Sequence, residues 1–135
     1  MYKDGQLTYD IIGLAMNVHK ILGPGFKENI YQDALIKEIV NNGFYVECEK
    51  EFVVFYKGEK VGKFRVDLFV ENKLVIELKA VSGEIPKLFQ TQVISYLKAS
   101  NKEVGLLINF GNTSLEVKRF GNYKNYSKNS GLQLV

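Results

Sequence analysis

The segment 64–80, FRVDLFVENKLVIELKA, constrains the fold of this chain more than any other stretch. Two runs of strand-forming residues flank a polar turn at 71–73, which predicts antiparallel strands over 61–70 and 74–81. Side chains alternate between the two faces of a strand, and a slip of one residue would bury a polar face. Matching the apolar faces therefore predicts three cross-strand pairs: Val70 with Leu74, Leu68 with Ile76, and Val66 with Leu78.

The same register places charged residues opposite each other inside the sheet. Asp67 is expected to face Glu77, and Arg65 to face Lys79. Opposed Cβ atoms lie about 4.5–5.5 Å apart. Two carboxylates roughly 4 Å apart repel each other by about 4 kcal/mol at an effective dielectric constant near 20. This repulsion is large compared with the stability of a domain, so another interaction must offset it.

Three arrangements would offset the repulsion between Asp67 and Glu77. The carboxylates could share a proton, they could join a salt-bridge network with Arg65 and Lys79, or they could bind a divalent cation. Mg²⁺ prefers oxygen ligands and often takes one or two carboxylates. Lys79 follows Glu77 on the same face, where its charge could stabilise a negatively charged transition state. The residue pattern alone also allows a solvated polar face whose charges pair with one another.

The rest of the chain predicts an α/β fold with a mixed β-sheet flanked by helices. A first helix is expected from an N-cap at Thr8 to a turn at Gly23-Pro24-Gly25. The remaining predicted elements are helices over 27–42 and 86–100 and strands over 44–48, 52–56, 104–110 and 115–120. No linker or repeat divides the chain, so residues 1–135 are expected to form one domain. Residues 122–135 are expected to be a loosely held tail.

Composition excludes several classes of protein. Cys48 is the only cysteine, which excludes an intrachain disulfide and favours a reducing, cytoplasmic location. No apolar run approaches the roughly 18 residues of a membrane span, and the N-terminus lacks the pattern of a secretory signal. We therefore expect no membrane partner. The net charge of +3 is compatible with nucleic-acid binding but does not by itself indicate it.

Several motifs carry a resemblance to a known family. Asp67 followed by Glu77-Leu78-Lys79 looks like the D…(D/E)xK signature of the PD-(D/E)XK nuclease superfamily, and GFKENIY at 25–31 matches the signature GxxExxY. The segments 18–25, 92–99 and 105–111 are similar to the same family. The similarity extends from about residue 8 to residue 120. The chain thus resembles the GxxExxY family of the PD-(D/E)XK superfamily.

The resemblance implies a restriction-endonuclease-like core and a nuclease that hydrolyses phosphodiester bonds of DNA or RNA by metal-activated water. The implied cofactor is Mg²⁺, for which Mn²⁺ can substitute. Asp67 and Glu77 would be metal ligands, and Glu28 would reach the metal directly or through water. Lys79 would be the catalytic lysine, and Gln92 would contact substrate or orient the site.

Some residues depart from the family pattern or have simpler explanations. Val66 replaces the proline of the nominal motif, and Phe89 stands where many relatives have a histidine. An acidic residue such as Glu28 is favoured in the first turn of any helix by the helix dipole. Gln92 could equally be an ordinary surface residue on the flank of its helix.

Two functions from different classes follow from these observations. The first is a nuclease whose partner is nucleic acid, with DNA favoured over RNA, acting alone, as a homodimer or in a larger complex. The second is a non-catalytic binding module that keeps the nuclease fold within a nucleic-acid-processing or defence complex. The complete set of Asp67, Glu77 and Lys79 favours the nuclease, whereas the modest net charge favours the binding module.

Overall fold

A mixed sheet of six strands in the order β1-β2-β3-β4-β5-β6 forms the centre of the protein. The computed structural model describes residues 4–122 and 132–134. The helices are α1 (Asp4–Leu22), α2 (Glu28–Asn41) and α3 (Lys87–Ser100). The strands are β1 (Val46–Tyr56), β2 (Glu59–Val70), β3 (Leu74–Lys79), β4 (Val104–Asn109), β5 (Glu116–Asn122) and β6 (Leu132–Leu134). The α/β fold class and the restriction-endonuclease-like arrangement predicted from the sequence are confirmed.

One parallel pair makes the sheet mixed. β3 and β4 run parallel, from Leu74 beside Val104 to Lys79 beside Asn109, and the other neighbouring strands are antiparallel. Parallel neighbours need a crossover connection, and α3 supplies it. Every residue of β4 is buried, as is every residue of β3 except Lys79, which is half-buried. The predicted catalytic lysine therefore lies where a buried central strand reaches the surface.

Two hydrophobic cores lie on opposite sides of this sheet. The first core packs α1 and α2 against the sheet, and Tyr31 of α2 stacks on Phe110 there with ring centroids 4.6 Å apart. The second core packs α3 against the other face, through Val93 and Leu97. Gly105 of β4 permits this close packing, because an added Cβ would lie 3.0 Å from a methyl group of Val93. The sheet is thereby covered on both faces, as buried central strands require.

The helix boundaries differ from prediction at one end of α1. Thr8 lies inside the helix, and its Oγ1 donates to the carbonyl of Gly5 at 3.0 Å. The prediction that Thr8 caps the helix was wrong, because Leu7 is already fully buried and the apolar stripe begins before Thr8. The turn at 23–25 is confirmed. Its two glycines have φ values of 67° and 114°, a region that glycine occupies without steric cost.

The faces of β2 also differ from prediction. Leu68 and Val70 belong to the first core, whereas Val66 belongs to the second core and Phe64 packs against it. The expectation that these four residues share one face was wrong. The apolar side chains of β1 and β2 change face where Asp67 of β2 lies across from Glu49 of β1. The φ of Glu49 is 55°, which interrupts the extended backbone at this position. The alternation rule assumes uninterrupted extension, which a residue in the left-handed region breaks.

The strand count differs from prediction at both edges of the sheet. The two short strands predicted over 44–48 and 52–56 form one continuous strand, β1. β6 was not predicted, and it pairs with β5 from Leu132 beside Asn122 to Leu134 beside Phe120. Residues 123–131 and 135 lie outside the described residues, so the loosely held tail stays a prediction. No helix in the described part of the chain combines the length and apolarity needed to cross a membrane.

Candidate functional site

The site lies where β2 and β3 separate. Their backbone ladder runs from Val70 beside Leu74 to Leu68 beside Ile76 and then stops. The predicted pairs of Val66 with Leu78 and of Arg65 with Lys79 therefore do not form. Side chains hold the next position together instead. The Asp67 N–H donates to Oε2 of Glu77 at 2.9 Å, and the Leu78 N–H donates to Oδ2 of Asp67 at 2.8 Å. The structure thus brings Asp67 and Glu77 together.

A shared proton offsets the repulsion between these two carboxyl groups. The pKa of Glu77 is raised from 4.5 to about 8, mainly by burial and also by the negative charge of Asp67. Burial likewise raises the pKa of Asp67 above its ordinary value. A side-chain hydrogen bond joins the two groups. Glu77 is therefore protonated near neutral pH, and its carboxyl O–H donates a hydrogen bond to the Asp67 carboxylate.

The salt-bridge alternative does not describe this pair. Within the described residues, no ion pair involves Asp67 or Glu77. Arg65 instead places its Nε 3.7 Å from Oε2 of Glu51. Lys79 places its ammonium 4.1 Å from the centroid of the Phe89 ring, in a cation–π contact. The phenylalanine that replaces the expected histidine thus holds the lysine at the edge of the site.

Lys79 nevertheless acts electrostatically on every acidic residue of the predicted site. Its positive charge lowers the pKa values of Glu28, Asp67 and Glu77, in each case against the larger effect of burial. Its carbonyl accepts a hydrogen bond from the Phe110 N–H at 2.9 Å, which extends the pairing of β3 with β4 past the end of the ladder. The lysine is therefore held by its backbone and by its side chain.

Glu28 lies at the first position of α2 and approaches the site from the helix layer. Burial raises its pKa; the charge of Lys79 opposes this rise, and the charges of Asp67 and Glu49 add to it. Among residues 4–122 and 132–134, no three His, Cys, Asp or Glu side chains are close enough together to hold a metal ion. Asp67 and Glu77 are thus joined by hydrogen bonds, whereas Glu28 is linked to the site through its electrostatic interactions with Lys79 and Asp67.

Glu49 is a site residue that sequence reasoning missed. It lies across from Asp67, between the pairs Cys48–Leu68 and Lys50–Val66, and its charge raises the pKa of Asp67. Its Oε2 accepts a hydrogen bond from Nε2 of Gln32 at 3.1 Å. Nothing in the local sequence distinguishes Glu49 from its acidic neighbours, since only the register of β1 against β2 brings it to the site.

Tyr96 was also missed. Burial raises its pKa, and the charges of Glu77 and Asp67 raise it further, so its hydroxyl lies within their electrostatic range. Its ring stacks on Phe64 with centroids 4.4 Å apart. Gln92 lies one helical turn earlier on the same face of α3, and its amide makes no hydrogen bond to any described residue. The spacing of Gln92 and Tyr96 predicts that their side chains lie on the same face of α3.

Asn109 holds the segment that follows Lys79. It is fully buried at the end of β4, where its Oδ1 accepts from the N–H groups of Val81 and Gly111 at 2.9 and 3.1 Å. Its Nδ2 donates to the Val81 carbonyl at 2.9 Å. A Cβ on Gly111 would lie 2.2 Å from that carbonyl oxygen. This close approach explains why a buried asparagine and a glycine stand here, two residues apart.

The donor set fits a divalent cation. Asp67 and Glu77 each accept a hydrogen bond from a backbone N–H, which orients the carboxyl group. Two facing carboxyl groups that form no ion pair with any described residue supply the hard oxygen ligands that Mg²⁺ prefers. In the metal-free protein, the proton shared by Asp67 and Glu77 supplies the positive charge that a metal ion would otherwise supply. A metal ion would have to displace that proton, since carboxylates bind metals in the deprotonated form.

Comparison with known proteins agrees with this geometry. A family model described as the PD-(D/E)XK nuclease superfamily matches residues 5–120. The crystal structure of SSO0001 is similar to this chain with a TM-score of 0.53 and 21% sequence identity, over 67% of this chain and 48% of that one. This chain thus spans about half the length of that protein, and at this identity the likeness concerns the fold. No curated protein matches the chain.

Proposed function

The chain belongs to the PD-(D/E)XK nuclease superfamily, and we propose that it is a metal-dependent nuclease that hydrolyses phosphodiester bonds of DNA or RNA. The observation that supports this activity most directly is the contact between Asp67 and Glu77 where β2 and β3 separate. Two carboxyl groups held by backbone N–H groups, beside a lysine at the end of a buried strand, form an arrangement suited to metal-assisted hydrolysis.

In this proposal Asp67 and Glu77 bind Mg²⁺ or Mn²⁺, and Glu28 reaches the same ion directly or through water. A bound divalent cation supplies Lewis acidity and lowers the pKa of its coordinated water. Glu77 must lose the proton that it shares with Asp67, and its raised pKa opposes that loss. The N–H groups of Asp67 and Leu78 keep the carboxylates oriented when the proton leaves.

Lys79 supplies a fixed positive charge beside the scissile phosphate, where negative charge grows in the transition state. The Phe89 ring, 4.1 Å from its ammonium, positions that charge without neutralising it as a carboxylate would. Gln92, whose amide has no partner in the described residues, contacts the substrate. Tyr96 adds a hydroxyl on the same helix face.

We also propose that the chain is a member of the GxxExxY family, because the three residues that define the motif, Gly25, Glu28 and Tyr31, each have a physical role. Gly25 has a φ of 114° in the turn before α2. Glu28 begins the helix and faces the site. Tyr31 donates its hydroxyl to the Gly23 carbonyl at 2.6 Å and accepts from the Phe26 N–H at 3.2 Å. The motif thereby fixes the turn from which Glu28 extends.

The experiment is a cleavage panel of single-stranded, double-stranded and branched DNA and RNA with Mg²⁺, Mn²⁺ and Ca²⁺ in turn. We expect cleavage with Mg²⁺ or Mn²⁺, on DNA in preference to RNA, and its loss in Lys79→Ala and Glu77→Ala proteins that remain folded. Tyr9→Ala, which alters an exposed residue of α1, is the matched control and should cut normally. Cleavage that survives in Lys79→Ala would identify a contaminating nuclease and refute the assignment.

A non-catalytic binding module is the second candidate. The observation that favours it is the shared proton, which satisfies Asp67 and Glu77 without any metal. Binding of nucleic acid without cleavage by any metal, in folded protein, would support it. Assembly as a homodimer or in a larger complex fits either candidate, as does a cytoplasmic location, for which the single Cys48 is the argument.

A further inference from the structure

The outer part of the β1–β2 hairpin extends beyond the rest of the sheet. β2 pairs with β3 only from Val70 to Leu68, whereas β1 and β2 continue to pair from Lys50 beside Val66 to Tyr56 beside Glu59. Residues 50–65, here called the hairpin arm, therefore form a two-stranded ribbon. Its tip is a tight turn in which Lys57 and Gly58 have φ values of 50° and 82°, the conformation that matches strand twist.

The tip of the hairpin arm exposes large apolar side chains. Phe55, Tyr56 and Val61 are 65%, 63% and 62% exposed. Because most of their surface is in contact with solvent, these three side chains do not contribute to a core. They therefore add little to a two-stranded ribbon that is by itself only marginally stable in water. Exposed apolar groups clustered in one place commonly mark an interaction site.

The hairpin arm also holds an excess of positive charge equal to that of the whole chain. Residues 50–65 contain five basic and two acidic residues, a net charge of +3, and the 135 residues together also have a net charge of +3. Glu51 forms ion pairs with Lys63 and Arg65. Lys57 and Lys60 form no ion pair with any described residue, and the Lys57 ammonium lies 5.5 Å from the centroid of the Tyr56 ring.

Aromatic rings connect the hairpin arm to the site. Phe52 and Tyr56 lie four residues apart on β1, about 13 Å along the strand, and the register of β1 with β2 shifts between Val54 and Phe55. Phe52 stacks on Phe64 with centroids 5.5 Å apart, and Phe64 stacks on Tyr96. Tyr96 lies within electrostatic range of Glu77 and Asp67. The stacked rings of Phe52, Phe64 and Tyr96 therefore link the base of the hairpin arm to the surroundings of the carboxyl pair.

We infer that the hairpin arm binds single-stranded nucleic acid, with an unpaired base stacked on Tyr56 and phosphates on Lys57 and Lys60, and guides the strand toward Asp67 and Glu77. This inference rests on the proposed nuclease function. Base stacking on aromatic rings beside basic residues is the usual mode of single-strand binding. The exposed ring of Tyr56 favours a single strand, because a base can stack on such a ring only when it is unpaired.

The test measures binding separately from cleavage. The full chain is titrated in EDTA into a fluorescein-labelled oligo-dT of 20 nucleotides and, separately, into a blunt 20-base-pair duplex. Both are about the length of a typical single-strand or duplex footprint. Fluorescence anisotropy gives the affinity. We expect tighter binding of oligo-dT than of the duplex. Tyr56→Ala should weaken oligo-dT binding about 5- to 150-fold, the range for the loss of one stacked base, whereas Tyr56→Phe should retain it.

Matched variants separate the hairpin arm from the general surface. Tyr9→Ala and Lys20→Ala, both on exposed positions of α1, should change the affinity less than about twofold. Lys57→Gln with Lys60→Gln should reduce the slope of log affinity against log salt by about 1.4, since each single-strand phosphate contact contributes about 0.7. Melting temperatures confirm that each variant is folded.

The two proposals can fail independently. If Tyr56→Ala binds oligo-dT as the unmodified protein does, or if the duplex is bound more tightly, the inference is overturned whether or not the protein cuts. Failure of the unmodified protein to bind oligo-dT overturns it as well. If Tyr56→Ala loses binding and no metal supports cleavage, the hairpin arm stands as a single-strand binding site and the nuclease function fails.

Discussion

The Asp67 N–H donates to the Glu77 carboxyl group at 2.9 Å, at the position where the next backbone pair of β2 and β3 would otherwise form. The Asp67 carboxyl group in turn accepts from the N–H that follows Glu77. Each side chain thus satisfies a main-chain donor of the opposite strand. This reciprocal arrangement lets two central strands separate without leaving buried N–H groups unpaired, and unpaired groups would be costly.

The stability of the metal-free protein should fall as pH rises from about 4.5 to 8. The pKa of Glu77 is raised from 4.5 in the unfolded chain to about 8 in the folded protein. Between these values the folded state binds a proton that the unfolded state lacks, so raising the pH favours unfolding. The raised pKa values of Asp67 and Glu28 act in the same direction. Melting temperatures in EDTA from pH 5 to 9 measure the effect, and Glu77→Gln should flatten the curve. An equally steep curve for this variant would contradict the assignment.

Divalent metal should raise the melting temperature, more strongly at pH 8.5 than at pH 6. A ligand that binds only the native state stabilises it, by about 2.7 kcal/mol at a concentration 100 times Kd. At the lower pH the metal must displace the shared proton, which weakens binding. Asp67→Asn should remove the metal effect and stabilise the metal-free protein at pH 8.5, because it removes the repulsion. Scanning fluorimetry with millimolar Mg²⁺ or Mn²⁺ is the measurement. A Lys20→Ala control should respond as the unmodified protein does, and a metal response retained in Asp67→Asn would refute the site.

Replacing Phe89 should impair catalysis without unfolding the protein. Phe89→Leu keeps an apolar side chain but removes the ring face on which the Lys79 ammonium lies. A cation–π contact contributes about 0.5–2 kcal/mol, so we expect kcat to fall about 2- to 30-fold while Mg²⁺ affinity is nearly unchanged. Phe89→Tyr retains the ring and should retain activity. Equal losses in both variants would show that the ring face does not position the lysine.

Removing the Asn109 amide should destabilise the domain. Asn109 is fully buried, and Asn109→Ala removes its hydrogen bonds to main-chain groups of the half-buried Val81 and Gly111. Each such group costs about 1–3 kcal/mol, so we expect a loss of about 3 kcal/mol in the free energy of unfolding. Asn112→Ala, which removes exposed hydrogen bonds to Gly83, is the control and should cost less. Urea denaturation of both variants gives the comparison, and equal losses would contradict this account.

The sequence by itself determined the register at the centre of the sheet and the meeting of its two carboxyl groups. The register of β2 with β3 followed from their apolar faces, because burial of one face allows a single parity, and the pairs Val70–Leu74 and Leu68–Ile76 are confirmed. That register placed Asp67 opposite Glu77. The crossover helix and the turn at 23–25 likewise followed from local signals, namely proline, glycine and helical spacing, whereas the approach of Glu28 to the site was implied by the family resemblance.

Only the tertiary structure decided how the charges at the site are balanced. The sequence left a shared proton, a salt-bridge network and a metal open, since all three use the same residues. The fold places Arg65 beside Glu51 and Lys79 over Phe89. In the metal-free protein the pair is left with a proton because burial raises both pKa values. Glu49 and Tyr96 likewise reach the site through strand pairing and ring stacking. These contacts join residues that are far apart in the chain and not related by helical or strand periodicity, so no local sequence pattern predicts them.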